Sequence, residues 1–584
     1  MGPLSYWLII NMELDTLRHS CSHIMAEAVK QLWPEVKLGI GPAIEDGFYY
    51  DFDKKEPFSD EDLVAIEKKM QEIIKRNEPF KKEELSKKDA SSLFKKMGEN
   101  YKAELIGQIP EEKVSIYRTG DKFIDLCRGP HIESTGGIKA FKLLSLAGAY
   151  WHGIETNPML QRIYGTCFAT QNELDQYLKN LEEAKKRDHR KLGVALGFFD
   201  IYHEQAGAGL VFYHPRGAML RTIIEDYEKK EHLKRGYQLV ITPHIMQAEL
   251  WKTSGHYEYY KENMYTFNID DKEFVLKPMN CPGHILIYQS KTRSYKDLPL
   301  RFFELGTVYR HEKAGVLHGL LRVRGFTQDD AHIFCLPEQL KDEIKAIVDF
   351  VFATMKDFGF QDVGIELSTR PEKYIGSNED WEKATAALEE SLKEKGLSYD
   401  INIGEGAFYG PKIDIKLKDA LNRKWQCATI QCDFALAKRF KLAYIDSEGK
   451  EKQPIMLHRV VLGSLERFIG ALLEHYKGDL PLWLAPTQVV VVPIKDSLQE
   501  YARKIQNTLE ENSIRTEIDS RSETLDKRIR NSEINKIPYC LVVGEREVKN
   551  NTVSVRKRIA GDQGSALLEE FIKKIKYETE NKVI

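Results

Sequence analysis

Apolar side chains recur at helical spacing in some stretches of the chain and alternate with polar ones in others. Residues 59–77 place four apolar side chains three or four positions apart behind a serine that can cap a helix, namely Leu63, Ile66, Met70 and Ile73. This spacing predicts an amphipathic helix. With the short strand-like runs around it, the helix indicates an α+β domain over residues 13–170.

A charged helical stretch follows this first domain. Thr170 and Glu173 have the spacing of a capping box, and the residues after them keep a helical pattern up to Gly193. We therefore predict a connector helix over residues 171–197, with a domain boundary beside it.

The long central region, residues 198–484, alternates strand-like runs with turns. Helices are predicted at Gly217–Arg235 and around Leu340–Phe358, and several strands follow one another without a helix between them. Such an order favours an antiparallel sheet. From residue 485 to 584 strands and helices alternate, with one helix at Leu498–Asn512, which predicts an independent α/β domain. The predicted fold is a multidomain α+β one.

Length and charge limit what the chain can be. At 584 residues it is too long for a single core, and its size is typical of about three to four domains. Its 86 basic and 89 acidic side chains leave a net charge of -3, so a surface for nucleic acid has to be a local patch. Composition alone identifies no partner.

Cysteine usage and hydropathy indicate where the protein works. The eight cysteines are scattered and lack the dense spacing of a disulfide scaffold, which predicts reduced thiols and a cytoplasmic location. The apolar stretch 4–10 is too short to cross a bilayer and has no basic flank of the kind that precedes a signal sequence. We expect a soluble protein.

The segment from Arg310 to Phe334 concentrates four basic residues, three histidines and two adjacent aspartates. Its pattern predicts a hairpin with a long loop, in which Arg310, Glu312, Arg322 and Arg324 face one cavity. Converging guanidinium groups suit a polyphosphate, because their planar forks bind phosphate oxygens in pairs. Charge alone is equally compatible with a solvated hairpin that carries surface ion pairs.

Three segments of the central region together resemble the signature motifs of class II aminoacyl-tRNA synthetases. "GYQLVITPHI" resembles motif one and ends near Pro243, "LRFFELGTVYRHE" through "RVRGF" resembles motif two, and "VLGSLERFIGALLEHY" resembles motif three. The resemblance implies ATP activation with Mg2+ and a homodimer through motif one. It places Arg310 at the α-phosphate, Glu312 at the adenine and Arg467 at the γ-phosphate, with Arg324 and Gln426 also at the nucleotide.

The contexts "KPMNCPGH", "DDAHIFC" and "MLHRVVLGS" resemble the threonyl-tRNA synthetase family, which implies one catalytic Zn2+ held by Cys281, His332 and His458. Taken singly, each of the three is more typical of a packed thiol or a core histidine. A zinc with three protein ligands keeps a position open for substrate. That position explains how threonine is separated from valine, which has the same shape but no hydroxyl.

The same resemblance assigns further side chains to the substrates. Asp330 accepts the proton of the threonine hydroxyl, and Gln328, Tyr409 and Lys412 hold the amino acid and the adenylate. His256 lies near the terminal ribose of tRNA and assists transfer. For Gln328 and Tyr409, ordinary strand packing is the alternative interpretation.

A second group of candidate residues lies towards the N-terminus. Serine differs from threonine by one methyl group, which is worth only about 1 to 3 kcal/mol of discrimination, so a hydrolytic site for mischarged seryl-tRNA is expected. His19 and His23 are four residues apart on one helical face, and "DLCRGPHIES" supplies Cys127 and His131. Taken by themselves these four residues suit a zinc site. They resemble the editing domain shared by threonyl- and alanyl-type synthetases. The resemblance implies a water molecule positioned by the histidines and the cysteine, with Lys102 and Asp125 as further candidate residues. Whether this site also binds a metal is left open.

The C-terminal domain resembles the anticodon-binding domain of the same family. Arg530, Lys536, Glu547 and Arg556 are the candidate tRNA contacts, since basic side chains bind phosphates and a carboxylate can accept from a base edge. A solvated charged surface explains each of them equally well. The resemblance also implies a short form without the family's N-terminal ubiquitin-like domain, and leaves open whether Met12 is the true start.

The sequence thus predicts ATP-dependent ligation of L-threonine to tRNA(Thr) through threonyl-adenylate, followed by editing of seryl-tRNA(Thr). Two other classes of protein are weighed against it. A synthetase-like tRNA-binding protein would lack a motif arginine or a metal ligand, and an editing-only factor would lack the central region. The chain has all of these features.

Overall fold

The computed structural model describes residues 3–154, 156–421 and 423–584. The side chains of residues 3–12, which include the apolar stretch 4–10 and Met12, lie outside the described part. The chain forms two compact units, residues 1–183 and residues 184–584, each with its own core. The finer division into four parts at residues 170, 197 and 484 stays a prediction.

Residues 1–183 combine two antiparallel sheets with helices. The helices are α1 (Pro3–Leu32), α2 (Asp60–Arg76), α3 (Lys87–Lys96), α4 (Asn100–Gln108) and α5 (Gln171–Arg187), the last of which crosses the division between the units. The strands are β1 (Lys37–Leu38), β2 (Ala43–Ile44), β3 (Gly47–Asp53), β4 (Phe80–Ser86), β5 (Lys113–Thr119), β6 (Phe123–Leu126), β7 (Ala140–Tyr150) and β8 (Met159–Phe168). The sheet orders are β1-β3-β8-β7, with β2 on β3, and β4-β5-β6.

The helix predicted from residues 59–77 is present as α2. Ser59 accepts a hydrogen bond from the backbone N–H of Asp62, and Asn77 ends the helix in a left-handed conformation. Leu63, Ile66, Met70 and Ile73 are buried, as their spacing predicts. They pack with α1 in the core of this unit.

The predicted connector helix is wrong in one respect, because it is two helices. α5 ends at Arg187 and α6 (His189–Ala195) begins after Asp188. The Asp188 carboxylate accepts the backbone N–H of Arg190 and so caps α6. A side-chain acceptor at this position starts a new helix instead of continuing the old one.

Residues 184–584 contain the remaining elements. After α6 the helices are α7 (Pro215–Lys234), α8 (Ala248–Ser254), α9 (His256–Tyr260), α10 (Cys281–Gln289), α11 (Leu340–Asp357), α12 (Asn378–Glu394), α13 (Ala435–Arg439), α14 (Leu465–His475), α15 (Gln499–Glu511), α16 (Leu525–Ile534), α17 (Glu545–Asn550) and α18 (Leu568–Glu580). The strands are β9 (Phe199–Asp200), β10 (Phe212–Tyr213), β11 (Gln238–Leu239), β12 (Ile245–Gln247), β13 (Tyr265–Ile269), β14 (Lys272–Leu276), β15 (Leu300–Tyr309), β16 (Gly325–Cys335), β17 (Val363–Ser368), β18 (Asp400–Asn402), β19 (Lys412–Lys418), β20 (Lys424–Asp433), β21 (Tyr444–Ile445), β22 (Glu451–Lys452), β23 (Ile455–Val460), β24 (Val489–Pro493), β25 (Thr516–Ile518), β26 (Tyr539–Val543), β27 (Thr552–Lys557) and β28 (Gly561–Leu567).

An eight-stranded sheet dominates this unit, in the order β11-β15-β16-β23-β20-β19-β17-β18. Its six inner strands are antiparallel, as predicted, and the two edge strands β11 and β18 pair in parallel. Apolar residues of α7, α11, α12 and α14 form one core with it. The helices predicted at 217–235 and 340–358 match α7 and α11 within two residues at each end.

The last part of the chain forms a five-stranded sheet in the order β25-β24-β26-β27-β28. β24 pairs in parallel with β25 and β26, and β27 and β28 add antiparallel strands. The alternation of strand and helix predicted after residue 484 is therefore confirmed. In the described part of the chain, no helix is long and apolar enough to cross a membrane.

Candidate active site

A cavity of about 430 Å³ lies over the eight-stranded sheet. Nine of the residues singled out in the sequence line it: Cys281, Arg310, Gln328, Asp330, His332, Tyr409, Gln426, His458 and Arg467. The sheet explains how they meet. Side chains alternate along a strand, so Gln328, Asp330 and His332 of β16 share one face. His332 is directly opposite His458 on β23, which brings together two residues 126 positions apart.

Cys281, His332 and His458 form a compact buried cluster at one end of this cavity. One donor atom from each lies within 4.8 Å of the others. His332 Nε2 and His458 Nδ1 face each other at 2.9 Å, and the second nitrogen of His458 contacts Asp433 at 2.8 Å. A thiol and two imidazoles are the donor set that zinc prefers, and a carboxylate behind a ligating histidine is the usual arrangement around such a metal.

The facing nitrogens of His332 and His458 need a hydrogen or a metal ion between them, because two imidazole lone pairs repel each other. In the metal-free protein a proton serves this purpose. Burial lowers the pKa of His458, but Cys281 and Asp433 raise it more strongly, to about 10. A divalent cation that also attracts the Cys281 sulfur would replace that proton. The residues present therefore fit a zinc ion.

Arg310 and Arg467 line the other part of the cavity. Burial lowers the pKa of Arg467, and the charge of Arg310 lowers it further. Arg467 lies in the first turn of α14, whose N-cap Ser464 accepts its backbone N–H. Two guanidinium groups that line one cavity favour an anion such as a polyphosphate.

The other three charged residues of the predicted hairpin are arranged differently from the prediction. β15 and β16 form the hairpin, and Glu312, Arg322 and Arg324 lie in the loop that joins them. Arg322 pairs with the Glu312 carboxylate at 2.9 Å, and Arg324 Nε donates to the Glu312 carbonyl at 3.0 Å. Of the four charged residues, Arg310 lines the cavity, and the other three lie in the loop beside it.

Lys412 and His256 do not line the cavity either. Lys412 pairs with Asp414 at 2.8 Å, and Asp414 also accepts from Gln426 at 2.7 Å, so a carboxylate joins two of the predicted residues. His256 is buried and its Nδ1 contacts Ser254 Oγ at 2.8 Å. Burial lowers the pKa of His256 to about 3.

Several side chains that complete the cavity were missed in the sequence. Asn280 donates to Asp330 Oδ2 at 2.9 Å, and Tyr409 donates to Gln431 at 2.6 Å. Asp433 supports His458 from the neighbouring strand. Gln431 and Asp433 are two apart on β20, and this alternation was the one signal that could have identified them.

The N-terminal cluster lies within residues 1–183, and the structure brings all six predicted residues together. Cys127 Sγ is 3.3 Å from His19 Nε2 and 3.2 Å from His131 Nε2, and His23 is 3.7 Å from Asp125. Lys102 pairs with Asp125 at 2.5 Å. Tyr50, which was missed in the sequence, donates to Asp125 at 2.5 Å and accepts from Lys102 at 2.9 Å.

Burial sets the chemistry of this cluster. It raises the pKa of Cys127 to about 12 and lowers the pKa of His19, His23 and His131. The groups are therefore a neutral thiol and neutral imidazoles, which suit the binding of water and the acceptance of a proton better than thiolate attack. One donor atom from each of His19, His23, Cys127 and His131 lies within 4.8 Å of the others, so a metal fits here as well.

The four predicted anticodon contacts are on separate elements of the last sheet. Arg530 is exposed on α16, and Lys536 follows that helix. The Glu547 carboxylate accepts the backbone N–H of Gly544 and so caps α17, and Arg556 lies on β27 at 3.8 Å from Asp562. The charges of Glu547 and Arg556 thus have partners within the protein.

Comparisons with known proteins agree with this geometry. Residues 265–476 match the tRNA synthetase class II core domain (G, H, P, S and T), residues 488–578 match an anticodon binding domain, and residues 114–164 match the threonyl and alanyl tRNA synthetase second additional domain. The chain is 57% identical over 568 residues to the threonine--tRNA ligase of Citrifermentans bemidjiense, covering 97% of this chain and 89% of that protein. It is 54% identical to the one of Aquifex aeolicus, covering 97% and 90%.

Solved structures give the same result. A structure described as the RNA binding domain of threonyl-tRNA synthetase from Cryptosporidium parvum has a TM-score of 0.65 and 42% identity, covering 67% of this chain and 98% of that one. The prolyl-tRNA synthetase of the same organism, at 17% identity and a TM-score of 0.52, shares the fold. With more than half of its residues identical over nearly its whole length, this chain belongs to the threonine--tRNA ligases, a family of class II aminoacyl-tRNA synthetases.

Proposed function

We propose that the chain attaches L-threonine to tRNA(Thr) in two steps, through threonyl-adenylate, and hydrolyses seryl-tRNA(Thr) at its N-terminal cluster. One observation carries the first activity: a donor set for zinc and the guanidinium groups of Arg310 and Arg467 line the same cavity. The cavity can therefore hold an amino acid next to a polyphosphate. Proximity of this kind supplies much of the rate of a two-substrate reaction.

In the proposed activation step, ATP binds with Mg2+ beside Arg310 and Arg467. Arg310 contacts the α-phosphate and Arg467 the γ-phosphate, and both offset the negative charge that develops as the threonine carboxylate attacks. Gln426 and the loop residues Glu312 and Arg324 hold the nucleotide. Asp414, which contacts both Lys412 and Gln426, orients these two side chains around the adenylate.

Threonine is selected at Cys281, His332 and His458. A Zn2+ held by these three residues would bind the amino nitrogen and the side-chain oxygen of threonine. Asp330 Oδ2 accepts from Asn280, and its other oxygen remains for the substrate hydroxyl. Gln328 and Tyr409 line the same end of the cavity, and His256 supports transfer to the ribose from behind them. Valine cannot satisfy such a site, because it has no hydroxyl.

ATP–pyrophosphate exchange tests this assignment. Zinc-loaded protein is offered threonine, serine and valine separately. We expect strong exchange with threonine, weaker exchange with serine, and exchange with valine lower by a factor of about 10⁴. Folded, zinc-containing protein that shows no exchange with threonine would overturn the proposed function. Equal exchange with valine would overturn the role of the hydroxyl.

Editing is the second proposed activity, and it uses His19, His23, Cys127 and His131 with Lys102 and Asp125. Neutral imidazoles next to a water molecule can accept its proton as the water attacks the seryl ester.

His19→Asn removes a ring nitrogen beside Cys127, and we expect deacylation of seryl-tRNA to fall by about 10²-fold while threonine exchange is unchanged.

His152→Asn is the matched control for the editing variant. His152 is a histidine of the same unit that contacts Glu104 instead of the cluster, and its left-handed backbone suits asparagine. Its deacylation rate should equal that of the unchanged protein. If His19→Asn also deacylates normally, the cluster is not the editing site.

The remaining assignments follow the family. We propose that the chain is divided into an editing domain at 13–170, a connector at 171–197, a catalytic domain at 198–484 and an anticodon-binding domain at 485–584. Arg530, Lys536, Glu547 and Arg556 are the proposed tRNA contacts of the last domain. The protein works in the cytoplasm as a homodimer joined through motif one.

A further inference from the structure

We infer that His284 and Glu304, which are not donors of the metal cluster, act as positioning residues that fix the tautomer of His332 and thereby set the metal affinity of the cavity. The inference rests on the proposed function, since it concerns the metal that Cys281, His332 and His458 would hold. It adds two residues to the site and gives each a distinct task.

Glu304, His284 and His332 form a continuous buried row. Glu304 is on β15, His284 on α10 and His332 on β16, and their exposed fractions are 3%, 0% and 0%. The Glu304 carboxylate is 3.1 Å from His284 Nε2, and His284 Nδ1 is 2.8 Å from His332 Nδ1. At these depths each contact has to be a hydrogen bond, because water does not replace a missing partner.

The carboxylate determines the direction of every hydrogen bond in the row. An ionised carboxylate only accepts, so His284 Nε2 carries the hydrogen and donates it to Glu304. Neutral His284 then has a lone pair on Nδ1 and must accept from His332 Nδ1. His332 in turn is left with a lone pair on Nε2, the nitrogen that faces His458 in the metal cluster.

Lys277 and Thr242 keep Glu304 ionised and in place. Lys277 Nζ is 3.1 Å from one carboxylate oxygen, and Thr242 donates its backbone N–H and its hydroxyl at 2.8 Å each. Burial raises the pKa of Glu304, but these partners and His284 outweigh it and lower the pKa to about 2. Lys277 and Thr242 supply the other donors to the carboxylate, so His284 contributes one N–H to it, from Nε2.

His458, the second histidine of the metal cluster, is held by a carboxylate directly. His458 Nε2 contacts the Asp433 carboxylate directly at 2.8 Å, which leaves its Nδ1 lone pair for the metal. His332 has no carboxylate at its second nitrogen, and His284 connects it to Glu304 instead. Both rings thus direct one nitrogen to a single point, which a metal would occupy in place of the hydrogen between them.

Two substitutions of His284 each remove one of its two hydrogen bonds and keep the other. In His284→Asn the amide oxygen lies near the position of Nδ1 and can still accept from His332, but the contact with Glu304 is lost. In His284→Gln the amide nitrogen lies near the position of Nε2 and can still donate to Glu304, but the acceptor for His332 is lost. Glu304→Gln can donate to His284 Nε2 and so reverses the whole row.

The test is the zinc dissociation constant of the full-length protein, measured by competition with a chromophoric chelator. All proteins compared also carry Cys127→Ser, which removes one donor of the N-terminal cluster. We expect His284→Gln and Glu304→Gln to weaken zinc binding by about 10- to 100-fold, and His284→Asn to stay within about threefold of the unchanged protein. His475→Gln is the control: His475 packs against Phe360 and Tyr476 and is in none of the donor clusters of the described residues, so its loss should leave zinc affinity unchanged.

The outcomes separate this inference from the proposed function. Cys281→Ser tests the metal site itself, and a protein whose zinc affinity it does not change has no metal at this cluster, which overturns both. If Cys281→Ser abolishes binding while His284→Gln and Glu304→Gln bind zinc as tightly as the unchanged protein, the inference alone is wrong. Unfolding temperatures of the metal-free variants identify any variant that does not fold. If His284→Gln does not fold, the zinc affinities of His284→Asn and Glu304→Gln are compared instead.

Discussion

At the scale of single residues, Glu27 is a carboxyl group placed where water hardly reaches it. It lies on α1 with an exposed fraction of 1%, and one of its oxygens has no hydrogen-bond partner. Burial, with the nearby charge of Glu78, raises its pKa to about 7. A carboxyl whose pKa is raised in the folded state favours folding below its unfolded pKa, near 4.5, and loses this contribution as the pH rises through 7.

We therefore expect Glu27→Gln to leave stability unchanged near pH 4.5 and to increase it by about 1 to 3 kcal/mol at pH 8. Hydrogen exchange of the α1 amides, followed by mass spectrometry at both pH values, measures the free energy of opening. Glu84→Gln, an exposed position on β4, is the control and should not gain stability with pH. A gain of equal size at both pH values would contradict the assignment of the buried charge.

At the scale of elements, the turn between β23 and α14 positions Arg467. Asp329 accepts the backbone N–H groups of Val461 and Gly463 at 2.6 and 2.7 Å, which ties the turn to β16. Gly463 has φ of 80°, and a Cβ there would lie 2.6 Å from the Cys427 carbonyl oxygen. Only glycine fits this turn, because both the backbone conformation and the space exclude a side chain.

We expect Gly463→Ala to displace the first turn of α14 and to lower kcat/KM for ATP in pyrophosphate exchange by about tenfold or more. Gly396→Ala is the matched control. Gly396 also has a positive φ, of 65°, but no atom lies within 4 Å of its Cβ position, so alanine there adds the same backbone strain without moving Arg467. Equal activity of the two variants would show that the turn does not aim the arginine.

At the scale of the whole molecule, the motif-one segment carries several exposed apolar side chains. Leu239, Ile241 and Ile245 are exposed by 46%, 85% and 46%, and Leu286 of α10 beside them by 49%. A contiguous apolar patch of this kind is typical of a surface that another chain covers. In a symmetric dimer the same patch would meet its copy.

If the protein is the proposed homodimer, we expect Ile241→Glu to be a monomer, since two carboxylates would be buried at the axis. Sedimentation velocity measures the mass directly. Ile559→Glu is the control, because Ile559 is exposed by 86% but lies in the turn between β27 and β28 and is not part of motif one. A monomer in the unchanged protein, or a dimer that survives Ile241→Glu, would contradict the proposed interface.

The sequence by itself determined what depends on neighbours along the chain. The helix at α2 and its caps, the shared face of Gln328, Asp330 and His332, and the hairpin of β15 and β16 all follow from periods of 3.6 or 2 and from local capping. The motif contexts added the family and nominated the donor set. Spacing alone would not have joined Cys281 to His458.

Only the tertiary structure decided which distant residues meet. The register of β16 on β23 places His332 opposite His458, and the packing of α10 on β15 places His284 between Glu304 and His332. It also turned Arg322 towards Glu312 and brought Tyr50 to Asp125. These outcomes depend on strand register and helix packing between segments far apart in the chain, and a period of 2 or 3.6 contains no information about either.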